Sequence, residues 1–434
     1  HDVIRGQARD RMNLLNADVS YKQAEQYFEV GQFDKALKEI NGAIARFPKS
    51  VPYFTLRGRI YMETKKLEPA IESFNEAIVT GLIACGVEPL VEPDETNTDD
   101  PNTRVQASQL NPADPLIVAA DSRIKSQIAD ACYFAGIVYQ RWSDDEKAFT
   151  KYRNAFELDS TKVHYLLAAA EAQIALGEYA QADELITPYM SYFEHNAALR
   201  QLQGQIALLQ GDATKAASLY KEARMLNPDD NSLLEDLIWA QYAAGMYGDC
   251  LESVKLLGAR LGITTGKMAM RPDLMHLQAR CLTMLGRLSN ARELYLELAR
   301  LKPADVPVWT ELGTVCWELG DFRRVAQCSV QLMALAPQRF EGYMLKGINE
   351  RQKNNLNEAI RLFRQAVELA STGTDSALPS LLLGQTLEQT GDVSGAREAY
   401  SQALQIEPDS ANARELLAKL DDSPQAVTVV PDSP

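Results

Sequence analysis

Residues 31–48 read Gly-Gln-Phe-Asp-Lys-Ala-Leu-Lys-Glu-Ile-Asn-Gly-Ala-Ile-Ala-Arg-Phe-Pro, a helix with its punctuation attached. Ala36, Ile40 and Ala43 recur at helical spacing and mark one apolar face. Gly31 suits the left-handed residue that ends a preceding helix. Asp34 suits the start of the new helix, and Pro48 stops it. The same marks return at Gly177-Glu178-Tyr179 with Ala182 and Ile186, and at Gly211 with Ala216, Tyr220, Ala223 and Pro228. They return again at Gly286 with Ala291, Tyr295 and Pro303, at Gly320-Asp321-Phe322 with Pro337, and at Gly391 with Ala396, Tyr400, Ala403 and Pro408.

Upstream of each turn stands a second small residue with a partner three positions on, as in Gly58 with Tyr61, Gly136 with Tyr139 and Gly313 with Cys316. Aligning both halves gives ten repeats, at 17–50, 51–84, 129–162, 163–196, 197–230, 231–264, 272–305, 306–339, 340–373 and 377–410. Each predicts a helical hairpin: Leu312, Cys316 and Leu319 face one way on a first helix, and Asp212, Asp321 and Asp392 start second helices. Small residues such as Ala24, Gly313 and Gly384, and Ala36 and Ala396 opposite, let the two helices approach closely. A lone hairpin cannot bury its apolar face, so stacking completes the core.

These residues resemble the tetratricopeptide repeat (TPR) family, whose Trp, Leu, Gly, Tyr, Ala, Phe, Ala and Pro pattern is matched in pieces by every repeat. Trp309, Leu312 and Gly313 carry it in the eighth repeat, and Gly58, Tyr61, Ala70, Phe74 and Ala77 in the second. The sixth departs most, with Ile238, Cys250 and Leu257 at positions usually smaller. The resemblance covers about four-fifths of the chain. It implies an all-α, right-handed α-α superhelical solenoid whose first helices line a concave groove, with repeat positions 2, 5, 9, 12 and 13 turned inward. Carried over residue by residue, the central groove would hold Gln201, Gln205, Glu235, Trp239, Tyr242, His276, Arg280, Thr310, Thr314, Trp317 and Arg351. Aromatic residues and arginine are frequent anchors of binding energy. Some family members grip a C-terminal carboxylate with Lys and Asn at positions 5 and 9. Here those positions hold Tyr21 and Glu25, then Thr55 and Arg59, so that clamp is absent.

Around the repeats the sequence predicts a helical lead-in at 1–16, repeats over 17–84, and an acidic, Pro-rich insertion with a linking helix at 85–128. Four repeats follow over 129–264, four more over 265–410, a capping helix at 411–421 and a disordered tail at 422–434. In 85–116, Glu88, Glu92, Asp94, Glu95, Asp99 and Asp100 precede the first basic residue, Arg104. Prolines 89, 93, 101, 112 and 115 argue against a continuous helix. The expectation is a solvated loop dispensable for folding; an acidic arm that touches a basic partner or folds into the groove is the alternative.

The chain of 434 residues has 44 Lys+Arg against 59 Asp+Glu, a formal charge of -15. That field opposes nucleic acid and anionic membrane, and no apolar run is long enough to span a bilayer. Six cysteines, at 85, 132, 250, 281, 316 and 328, show no Cys-x-x-Cys pair and read as small buried hydrophobes; one inter-helix bridge such as Cys316–Cys328 stays open. Gly262 to Met268 is one residue short of a phosphate loop and has Met268 where Ser or Thr would hold magnesium. Gly391-Asp392-Val393-Ser394-Gly395 has the wrong spacing for a nucleophile elbow, and His164, His195 and His276 form no metal-ligand spacing on one helix.

No catalytic residue, cofactor or metal site is expected, and the reading is a non-enzymatic scaffold, bacterial in character, binding a protein or peptide in the groove. The alternative is an exported subunit assisting envelope polysaccharide or pilus assembly. His1 in place of methionine favours export to the envelope over the cytoplasm, although a trimmed end would look the same. Oligomeric state is left open.

Overall fold

The computed structural model describes residues 2–87, 110–262, 271–373 and 376–422. Most of the acidic insertion, the short insertion after Gly262 and the tail beyond 422 lie outside them. Among the described residues the chain is all-α. Helical hairpins are formed by α1 (Asp2–Glu29) with α2 (Phe33–Arg46) and by α3 (Val51–Glu63) with α4 (Leu67–Ala84). A short α5 (Pro115–Ala119) leads into α6 (Ser122–Arg141) and α7 (Asp145–Leu158). Next come α8 (Val163–Ala175) with α9 (Tyr179–Ile186) and α10 (Ala197–Leu209) with α11 (Ala213–Leu226), followed in chain order by α12 (Asn231–Ala243) and α13 (Tyr247–Arg260). The last hairpins are α14 (Pro272–Met284) with α15 (Leu288–Leu301), α16 (Val306–Glu318) with α17 (Phe322–Leu335), α18 (Phe340–Gln352) with α19 (Leu356–Gly373), and α20 (Leu378–Gln389) with α21 (Val393–Ile406). A final helix, α22 (Ala411–Asp422), packs on α21 and buries Ala413 and Leu420. By internal packing the chain forms two bodies, an N-terminal one (His1–Ala240) and a C-terminal one (Gln241–Pro434).

The turn has one geometry throughout. Gly31, Gly177, Gly211, Gly245, Gly286, Gly320 and Gly391 have φ between 69° and 86°. Lys65, Ser143 and Asn354, at the equivalent place in hairpins without that glycine, adopt φ of 59°, 59° and 63°. Left-handed backbone is costly for a residue with a Cβ, so the hairpin imposes it. Asp212, Asp321 and Asp392 cap α11, α17 and α21 through side-chain bonds to backbone N–H groups, whereas Asp34 lies in the first turn of α2. Pro52, Pro272, Pro307 and Pro379 open α3, α14, α16 and α20, where a missing N–H costs nothing. Pro188 sits in a 3-10 turn over Thr187–Tyr189 that follows α9, which has only 8 residues.

Within five of the hairpins, a first-helix glycine faces a second-helix ring sixteen residues on: Gly58 with Phe74, Gly136 with Tyr152, Gly204 with Tyr220, Gly347 with Phe363 and Gly384 with Tyr400. Where no ring follows, Gly313 meets Leu345 and Cys328 instead. The larger Ile238, Cys250 and Leu257 of the divergent sixth repeat are themselves fully buried. Cys132, Cys250, Cys281, Cys316 and Cys328 are buried and Cys85 is half-buried, and none of them is in a disulfide, so no Cys316–Cys328 bridge is formed.

The end of the insertion differs from the solvated loop expected of it. Leu110 and Ile117 are buried in the cluster that joins Val51, Ile78 and Leu82 to Ile128 and Cys132. Pro115 stands at the start of α5, behind Asp114, whose carboxylate accepts from the Leu116 N–H. Composition averaged over the segment hid two apolar residues with a place to go. The helices on either side meet directly, α4 against α6, with Gly81 of α4 under Ile128. We therefore expect Leu110→Ala to cost about 2 kcal/mol, the low end for a buried leucine near an edge of the core. Urea unfolding of the full chain checks this; an unchanged midpoint would make the burial energetically idle.

Candidate functional site

The first helices carry the residues that the repeat pattern singles out, and the structure uses many of them to join one hairpin to the next. Tyr53 Oη donates to Asp18 Oδ1 (2.5 Å), and Tyr165 Oη donates to Asp130 Oδ1 (2.5 Å). Gln201 Nε2 donates to Asp236 Oδ2 (2.6 Å). His276 Nε2 lies 2.6 Å from Glu311 Oε2, and Arg351 Nη1 donates to Gln385 Oε1 (3.3 Å). The partners stand 34 or 35 residues apart, one repeat. Burial, reinforced by the neighbouring carboxylate, pushes the Tyr53 and Tyr165 hydroxyls well above the ordinary tyrosine range, so both stay protonated donors.

In the C-terminal body these contacts close into a cluster. Arg280 donates from Nε (2.9 Å) and Nη2 (2.6 Å) to Glu311 Oε1, while His276 occupies Oε2. Burial alone would raise the pKa of Glu311, but the bonds from His276 and Arg280 outweigh it and hold the carboxyl below the usual glutamate range. The His276 ring also meets Tyr295 edge-on at 6.0 Å. Tyr242 is half-buried and packs against Tyr247 with centroids 5.8 Å apart. Thr310 and Thr314 donate to Val306 O and Thr310 O of their own helix. Trp317 is half-buried, and the Arg351 guanidinium lies 6.0 Å from the centroid of the Phe363 ring. Thus His276, Arg280 and Arg351 are engaged within the fold, and Arg280 does not offer a free guanidinium.

The N-terminal body holds the other sequence-predicted residues. Gln201 is committed to Asp236, Gln205 is exposed, and Glu235 is half-buried. Trp239 is 46% exposed, a large apolar surface at the ninth position of its repeat. Glu311 and Asp236, which organise these contacts, were not singled out by sequence. Their signal was a polar residue one repeat beyond a complementary one, which a single-repeat pattern does not register.

Two tetratricopeptide repeat family models match, over residues 21–81 and 350–420. The human protein O-mannosyl-transferase TMTC1 is 26% identical over 247 residues, 57% of this chain. The chain spans only 23% of that relative's length. Among solved structures, the APC/C hetero-tetramer Cut9-Hcn1 aligns over 97% of this chain and 94% of its own at 13% identity, with a TM-score of 0.41. A tetratricopeptide repeat protein from Parabacteroides merdae aligns over 69% of this chain and 99% of its own at 12% identity, with a TM-score of 0.40. The chain is a tetratricopeptide-repeat protein, and repeats of this kind make protein-interaction scaffolds. Among the described residues no helix is long and apolar enough to cross a membrane.

Proposed function

We propose that the protein is a non-catalytic scaffold that binds a segment of a partner protein along its first-helix faces, with Trp239 as the principal contact. The observation that carries this reading is the Trp239 indole. Burying so large a ring in a core is the usual fate of tryptophan, yet nearly half of this one meets solvent. A rigid amphipathic ring gives large contact area for little lost rotamer freedom. Gln205 adds an exposed amide one repeat earlier; in the C-terminal body Tyr242 and Trp317 offer partly open rings. Arg280, held by Glu311, supports that surface.

The test uses peptides selected on the full chain from a random library. Trp239→Ala is expected to weaken the best peptide about tenfold or more while leaving the urea midpoint in place. A lowered midpoint with intact affinity would make Trp239 a packing residue and overturn the assignment.

A further inference from the structure

Two side chains in the N-terminal body stand apart from the hydrogen-bonded pairs described above. Arg59, on α3, lies over two rings, Phe28 on α1 (4.8 Å) and Phe134 on α6 (5.2 Å). These rings come from the first helices of the hairpins on either side. Among the described residues the guanidinium has no hydrogen-bond acceptor and no ion pair. On α1, Glu25 accepts from the Tyr21 hydroxyl and Asp18 from the Tyr53 hydroxyl. Ring contacts use the flat faces of a guanidinium and leave its N–H edge pre-oriented for a planar anion.

The second is Glu171, on α8. It too has no hydrogen bond or ion pair among the described residues. Its carboxylate is open to solvent but close to Tyr133 and Tyr152, and partial burial raises its pKa above the usual glutamate range. Arg59 and Glu171 both occupy the ninth place of their repeats, with Ile137 of α6 at that place between them. In the C-terminal body, by contrast, the ninth-place Arg280 and Gln385 are bonded to neighbours and Ile348 is buried.

We propose that Arg59 and Glu171 read a partner's extended segment by two opposite charges, an acidic side chain over Arg59 and a basic one over Glu171. This rests on the first-helix reading above and specifies the partner's chemistry. Neighbouring helices pack about 8–10 Å apart, so two steps from α3 to α8 place the charges roughly 20 Å apart. An extended chain covers that in about six residues. The half-buried apolar Ile137 and Phe134 between them suit an apolar side chain in the middle of the segment. A free C-terminal carboxylate is not required, because each charge answers a side chain. A uniformly anionic polymer is disfavoured by Glu171 and by the formal charge of -15.

Peptides selected from a random library on the full chain provide the probe. Enriched sequences should carry an acidic and a basic residue about six positions apart, in one fixed order. Arg59→Gln should reduce their affinity roughly fivefold and cancel the preference for the acidic residue, and Glu171→Gln should do the same for the basic one. In the double variant Arg59→Glu, Glu171→Arg, a fresh selection should return the two charges in reversed order. Urea midpoints of the variants are measured alongside. An Arg59→Gln protein with a lowered midpoint and unchanged affinity would show that the arginine only ties hairpins together, and would overturn the proposal. Peptides that lose affinity with Trp239→Ala but are indifferent to both charge variants would overturn it while sparing the broader first-helix reading. A library that yields no binder would sink both.

Discussion

Replacing Gly136 with leucine is expected to cost about 3 kcal/mol or more and to open the α6–α7 hairpin first. A Cβ at Gly136 would stand 2.5 Å from Tyr152 Cε1 and 2.6 Å from Cδ1, well inside contact distance. Tyr152 cannot easily give way. Its ring is 1% exposed, packs against Tyr133, and its hydroxyl donates to Gln140 Oε1 (3.0 Å). Overpacking a fixed core usually costs about 1–3 kcal/mol, and leucine adds three carbons beyond that Cβ. Its better helix propensity returns about 1 kcal/mol at most. Gly248, inside α13, is the control, since nothing lies within 4 Å of a Cβ built there. Gly248→Ala should be neutral or stabilising by up to about 1 kcal/mol. Hydrogen exchange and urea unfolding read both variants. Equal midpoints for the two would refute the close helix approach on which the hairpin rests.

Glu311→Ala is expected to cost about 3 kcal/mol, the low end for breaking a buried pair because the side chains keep some solvent. It removes the acceptor shared by His276 and Arg280, leaving a half-buried guanidinium without that partner. The contact also has a pH signature. A carboxyl held below its ordinary pKa in the folded state contributes stability above the unfolded value of about 4.3, and that contribution fades as pH falls through the folded pKa. The wild-type midpoint should therefore fall more steeply below about pH 4.5 than that of Glu311→Gln, which has nothing to titrate there. Parallel pH profiles for the two proteins would mean the cluster contributes little.

How far the sequence carries the account differs from residue to residue. The turn glycines at 31, 177, 211, 286, 320 and 391 were readable because left-handed backbone is a local demand that glycine meets most cheaply. Lys65, Ser143 and Asn354 share the conformation without advertising it, and only the repeat register points to them. Gly58 and Phe74 each fit the family pattern, yet their contact with one another needs the crossing of two helices to be known. The candidate site was less legible. Position within a repeat identified Trp239 and Arg280 equally well, but nothing in one repeat says that Glu311 of the next will occupy Arg280 and that Trp239 will stay open. Arg59 registered only as a mismatch to a known clamp; its two rings come from other hairpins.

The most direct test of the central claim is to map where a bound segment lies. A peptide selected on the full chain, carrying a diazirine at successive positions, is crosslinked and the adducts are located by mass spectrometry. The account predicts adducts on first helices, at Trp239 and Gln205 and their neighbours on α10 and α12, with second helices such as α11 and α13 unlabelled. Adducts concentrated on second helices would contradict it.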